Sequence, residues 1–174
     1  MSIQAFPQAS RYKTFRGSDW DSGWKRLPLA VLETPSGGDW NIETDSSKLT
    51  VSPGELLVIR PDTAHRLHTA ESPQMRSSWL IIYWEVNGNP LRMKPGCKVI
   101  RNKHACMKLH TITRLMSRSP SLKARALVYS YALSLLADIS DFAVLESFRD
   151  ERIERALTFI QTHLNEPVSC EDLA

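Results

Sequence analysis

The sequence predicts an α+β chain, with a layered β domain first and helices after it. Three observations carry this. The front half holds short apolar runs separated by turn clusters. The back half recurs in apolar residues every three to four positions, the period of a helix face. The switch falls near residue 90, so strands and helices are segregated rather than alternating. The 174 residues, 42% of them hydrophobic and 24% charged, suffice for a domain with its own core. The predicted units are 1–90, 91–145 and 146–174.

Leu29-Ala30-Val31-Leu32 is an apolar run, and Thr34-Pro35-Ser36-Gly37-Gly38 reads as the turn that ends it. Trp40-Asn41-Ile42-Glu43 and Leu49-Thr50-Val51 alternate apolar and polar, with Asp45-Ser46-Ser47 turning the chain between them. Pro53-Gly54 leads into Leu56-Leu57-Val58-Ile59, a fully apolar strand stopped by Arg60-Pro61-Asp62. His65, Leu67 and Thr69 share one face of the next strand. Trp79 to Val86 is the strongest strand signal, closed by Asn87-Gly88-Asn89-Pro90. Parity puts Trp79, Ile81 and Tyr83 on one face and Leu80, Ile82 and Trp84 on the other. Short strands at this spacing predict a sandwich or small barrel.

Cys106, Leu109, Ile112 and Met116 fall on one face of a first helix. Ser119-Pro120-Ser121 interrupts it, and Leu122, Ala126, Tyr129, Leu133 and Leu136 continue the period in a second. A short turn between two such helices predicts an antiparallel hairpin. Ile153 to Leu164 marks a third helix. Ser169-Cys170-Glu171-Asp172 fits a capping box that opens a fourth, which the chain leaves after one turn. The natural protein is therefore expected to be longer.

The net charge of +3 is unevenly spread. Residues 86–137 hold ten Lys and Arg and no Asp or Glu, while residues 138–174 hold three Arg and nine Asp or Glu. A basic block can mark a nucleic-acid face, but a neighbouring acidic block can neutralise it within the fold, and that reading is preferred. No 18-residue apolar run exists, so no membrane helix is expected. The N-terminus lacks a signal peptide's charged and apolar regions. Cys97, Cys106 and Cys170 have neither disulfide-scaffold nor zinc-site spacing. A cytoplasmic location is the expectation. No Gly-x-Ser-x-Gly elbow and no phosphate-binding loop occurs.

The segment Leu49 to Pro61 followed by His65, and the strand Trp79 to Trp84, resemble the cupin-like jelly-roll regulatory half of the AraC/XylS family of bacterial transcription regulators. Residues 105–140 sit where that family places its dimerisation hairpin. Arg152 to Leu164 and Ser169 to Ala174 resemble the opening of its helix-turn-helix DNA-binding domain. The resemblance implies a cupin-like barrel with an N-terminal arm (residues 1–16, anchored by Phe6, Tyr12 and Phe15), then a helix pair, then the start of a DNA-binding domain. Operator DNA would be read only through a region beyond this chain, because no recognition helix is present.

The resemblance implies a pocket that holds a small effector. Trp79 is the leading stacking residue, with His65, Tyr83 and Arg60 supplying polar contacts and Trp24 and Trp40 further candidates. Five tryptophans favour a sugar, whose C–H faces stack on indole rings. Core filling is the alternative role for at least three of them. Dimerisation would use Leu109, Ile112, Met116, Leu133 and Leu136; the alternative is that all five pack on the barrel. Two other functions compete with this effector-sensing homodimer. One is a metal-dependent cupin enzyme, whose usual ligands resemble a His-x-His pair, a Glu and a distant His. Here Trp40 to Leu49 has no histidine, and His65 and His68, three apart, point to opposite faces of a strand. Neither metal nor cofactor nor catalytic residue is expected. The other is a regulatory domain controlled by a partner protein.

Overall fold

Residues 74–86 build the strand around which the β domain is assembled. The computed structural model describes residues 3–16, 20–69, 74–86, 88–91, 93–117 and 121–139. Strand β1 (Ile3–Arg16) is followed by β2 (Ala30–Gly37), β3 (Trp40–Thr44), β4 (Lys48–Val51), β5 (Leu56–Ile59), β6 (His65–Thr69), β7 (Gln74–Val86), β8 (Asn89–Pro90) and β9 (Cys97–Ile100). Helices α1 (Lys103–Met116) and α2 (Leu122–Asp138) come last. One antiparallel sheet has the order β1-β7-β2-β5-β9, with β8 folded back on the end of β7, and a smaller one has the order β4-β3-β6. No described helix is long and apolar enough to cross a membrane.

Alternation decides which layer each side chain enters. On the large sheet, Leu32, Leu56, Val58, Leu80, Ile82 and Trp84 pack against the helices, joined by Ala105, Leu109, Ile112, Ala132 and Leu135. The opposite face sends Val31, Leu57, Ile59 and Met75 toward Trp40, Ile42, Val51 and Leu67 of the small sheet. The parity of β7 places Trp84 on the helical side, where its indole N–H donates to the Ala132 carbonyl at 3.0 Å. Asn102 caps α1 by accepting from the Ala105 N–H at 3.0 Å. Ser121, after the Ser-Pro interruption, caps α2 by accepting from the Ala124 N–H at 3.2 Å. Lys108 of the basic segment pairs with Asp138 at 2.7 Å.

Three segments differ from the sequence reading. Residues 3–16 form β1, paired with β7 from Ile3↔Val86 to Arg16↔Gln74, rather than an arm lying over the barrel. Phe6 stacks on Tyr83 with ring centroids 4.8 Å apart; the side chains of Tyr12 and Phe15 lie outside those described. Strand β2 runs through Thr34 and Pro35 to Gly37, with a register shift between Pro35 and Gly37. The bulge absorbs the proline, which cannot donate to the ladder. Strand β9 lies beyond residue 90 and extends the large sheet beside β5, so part of the segment read as linker belongs to the β layer. The third helix and the capping box at Ser169 lie outside the described residues.

Candidate functional site

Between the two sheets the chain leaves a cavity of about 240 Å³. Its wall comes from Arg11 and Lys13 of β1, Val31 and Glu33 of β2, His65 and Leu67 of β6, and Trp79 and Ile81 of β7. Trp20, Lys25 and Leu27, on the connection between β1 and β2, complete the lining. This connection runs antiparallel beside β6. Lys25 and His65 exchange both backbone hydrogen bonds at 2.9 Å, and the Thr69 N–H donates to the Trp20 carbonyl at 3.0 Å. It behaves as a short extra strand on the small sheet, which holds Trp20 and Lys25 at the cavity. Arg66 clamps the same connection from the outer face of β6, donating to Asp21 Oδ2 at 2.8 Å. That contact pulls the exposed Asp21 carboxyl down to about 2.

Glu33 is the unusual group. Its side chain is buried at 4% exposure, and the Ser77 hydroxyl of β7 donates to its Oε1. Burial pushes its carboxyl up to about 7; the Ser77 hydroxyl, the charge of Lys25 and the Trp40 indole oppose the rise. Sequence reasoning misses Glu33 because Thr34-Pro35 reads as a turn that ends the strand right after it. The signal was its shared parity with Val31, which places a carboxyl on an inward face.

His65 is buried, and its Nδ1 donates to the Thr63 carbonyl at 2.8 Å. Burial lowers its pKa, so the ring is neutral with Nε2 left as acceptor. His68 faces away from the cavity, 3.7 Å from Glu43. Among the described residues no three of His, Cys, Asp and Glu converge as metal ligands.

The sequence-predicted pocket residues separate into three groups. Trp79 and His65 line the cavity. Trp40 is buried beneath it in the inter-sheet core, edge-on to Trp20 at 5.0 Å. Tyr83 shares the face of Trp79, but four residues along β7 it has passed the cavity's end and packs on Phe6. Arg60 donates to the Pro95 carbonyl at 3.1 Å and covers Gly96, away from the cavity. Trp24 is 54% exposed and does not line it.

The helix residues separate as well. Leu109 and Ile112 are fully buried between helix and sheet. Met116 packs at the edge of the same cluster and Leu136 lies within it. Leu133 is 37% exposed and lies on an outer stripe of α2 with Leu122, Ala126 and Tyr129. Leu109, Ile112 and Leu136, with Met116 half-buried beside them, lie on the inner faces of the helix pair, which pack on the β layer.

No protein-family model matches the sequence, and no curated protein matches it significantly. Solved structures do match. The fold is similar to that of ToxT from Vibrio cholerae. One ToxT structure aligns over 99% of this chain and 70% of its own, with 7% identity and a TM-score of 0.50. An apo variant of ToxT aligns over 98% of this chain and 68% of its own, with 7% identity and a TM-score of 0.53. A ToxT structure with an unsaturated fatty acid bound aligns over 99% and 66%, with 7% identity and a TM-score of 0.49. At these identities the likeness concerns the fold.

Proposed function

We propose that this chain is the effector-sensing and dimerising region of an AraC-type transcription regulator acting in the cytoplasm. It is a cupin-like jelly roll with a helix pair, and it binds a small molecule without transforming it. The observation that carries this reading is the cavity. It lies between two sheets, is walled by aromatic and aliphatic side chains, and holds a few convergent polar groups, as small-molecule sites do. The likeness in fold to ToxT, an AraC-family regulator, supports it. A sugar stacked on Trp79 is one candidate guest.

Binding would act by linkage. A guest that contacts β1, β2, β6 and β7 together favours one arrangement of those strands over another and shifts the population between them. The outer stripe of α2, with Leu122 85%, Tyr129 50% and Leu133 37% exposed, is the seam for a second copy. DNA would be read by a helix-turn-helix domain whose start is residues 146–174. A metal-dependent enzyme is disfavoured because His65 and His68 serve opposite faces of β6.

The test is a thermal-shift screen of the chain against sugars, aromatic acids and small metabolites, with light scattering alongside. A ligand that raises Tm supports the sensing reading, since binding to the native state alone stabilises it. Silence across the panel overturns it in favour of control by a partner protein. Leu133→Glu is expected to convert a dimer into a monomer without lowering Tm. A wild-type monomer at high concentration removes the dimer from the proposal.

A further inference from the structure

We infer that a second groove, at the opposite end of β7 from the cavity, binds a small organic cation, an ammonium group on a short apolar body. The groove shares no lining residue with the cavity, so the two sites stand or fall separately.

The groove opens where the small sheet no longer covers β7. Tyr83 and Glu85 continue the face that carries Trp79 and Ile81, but no residue of β3, β4 or β6 lines the space beside them. What is left is a trough of about 660 Å³ walled by Leu29, Leu91 and Met93. That volume falls in the range of about 300–1,000 Å³ usual for ligand pockets. Its rim is pinned by the backbone. The Asp62 N–H donates to the Leu27 carbonyl at 2.7 Å, and the Leu91 N–H donates to the Trp84 carbonyl at 2.6 Å.

Its charge is opposite to that of the cavity. Asp62 and Glu85 line it, and none of the described lining residues is cationic. The ion pairs among the described residues involve neither of these two carboxylates. Such a groove attracts a cation and repels an anion. A metal ion does not fit. Among the described residues no three of His, Cys, Asp and Glu converge, and the walls are apolar where a hard cation needs oxygen.

Tyr83 supplies the third element. Phe6 stacks on one face of its ring, with centroids 4.8 Å apart and 12° between the planes. Phe6 does not line the groove and Tyr83 does, which leaves the other ring face for a guest. An ammonium group over that face gains from the ring's π-electrons, and its N–H groups donate to the carboxylates. Both edges of β7 are taken here, by β1 on one side and by β8 on the other. An extended peptide therefore finds no strand edge to pair with, and a free small molecule is the better occupant.

Calorimetric titration of the 174-residue chain at low salt tests this with phenethylammonium, 2-phenylethanol, 3-phenylpropanoate and a lysine-rich decapeptide. Phenethylammonium is expected to bind about tenfold or more tightly than the alcohol or the carboxylate, and to weaken as salt is added. Glu85→Gln and Asp62→Asn should each weaken it by about threefold or more at unchanged Tm. Asn tolerates the left-handed φ of 59° that Asp62 adopts, so the turn survives that change. Equal binding of the alcohol, or an affinity unmoved by both carboxamide variants, overturns the cation site. So does a loss seen with Glu33→Gln instead, which would put the amine in the cavity. The decapeptide binding more tightly than phenethylammonium overturns the small guest in favour of a basic protein segment. Silence from all four compounds overturns the site and leaves the effector reading of the cavity standing.

Discussion

The two faces of the large sheet teach different lessons from the same strands. Toward the helices, Leu32, Leu56, Val58, Leu80, Ile82 and Trp84 of β2, β5 and β7 meet Leu109, Ile112, Ala132 and Leu135 in a filled core. Toward the small sheet, the intervening residues include Glu33 and Ser77 beside a cavity carrying three cations. One face is a stability device. The other leaves space and buries a carboxyl, both of which cost stability. Such a departure from the pattern marks the place where a fold has been given something to do.

The contrast can be broken on its filled side first. Leu109→Ala removes a fully buried side chain from the helix–sheet core. It should cost about 2–5 kcal/mol by urea denaturation, because the packed surroundings close only part of the void. A loss well under 1 kcal/mol would mean that α1 is not clamped to the sheet.

The polar side sharpens it through pH. Glu33 rises from 4.5 in its ordinary state to about 7 in the fold. The native state therefore keeps a proton that the unfolded chain loses above 4.5. Stability falls as pH climbs from about 4.5 to about 7 and then levels. At about 1.4 kcal/mol per unit, the penalty at pH 8 is about 3 kcal/mol. Glu33→Gln should flatten this slope and raise stability at pH 8 more than at pH 5. Equal slopes in variant and wild type would show that the carboxyl ionises without cost.

The smallest expected effect returns to the filled side. Trp84→Phe removes the indole N–H that reaches the Ala132 carbonyl at 3.0 Å. It should cost about 1–2 kcal/mol, measured by the same denaturation, and leave ligand affinity unchanged. A loss of ligand affinity alongside it would mean that the two faces are not independent.

Much of this division was legible in the sequence where alternation was strong. The parity of residues 79–84 sorted Trp79 to one layer and Trp84 to the other, because a strand's period is two. The face shared by His65, Leu67 and Thr69 was legible for the same reason. Strand β1 was not, because Ile3-Gln4-Ala5-Phe6-Pro7 has no clean period and its partner is some 70 residues away. Nor was β9, whose Cys97-Lys98-Val99-Ile100 is too short to outweigh the basic, helical context around it. The cavity's cations were illegible because Arg11 and Lys13 lie on β1, itself unread as a strand, and Lys25 on the connection after it. Only the register of β1 on β7 and the pairing of Lys25 with His65 bring them together.

Ser77 and Ser78 sit side by side on β7 and serve opposite layers. Ser77 binds Glu33, while Ser78 lies 2.8 Å from His110 Nδ1 and 3.2 Å from the Thr113 hydroxyl of α1. Sliding β7 by a single residue would strip both hydroxyls of their partners and send Trp79 into the helices. The alignment of the central strand is thus bolted from above and below, and neighbouring strands must take their bearings from it.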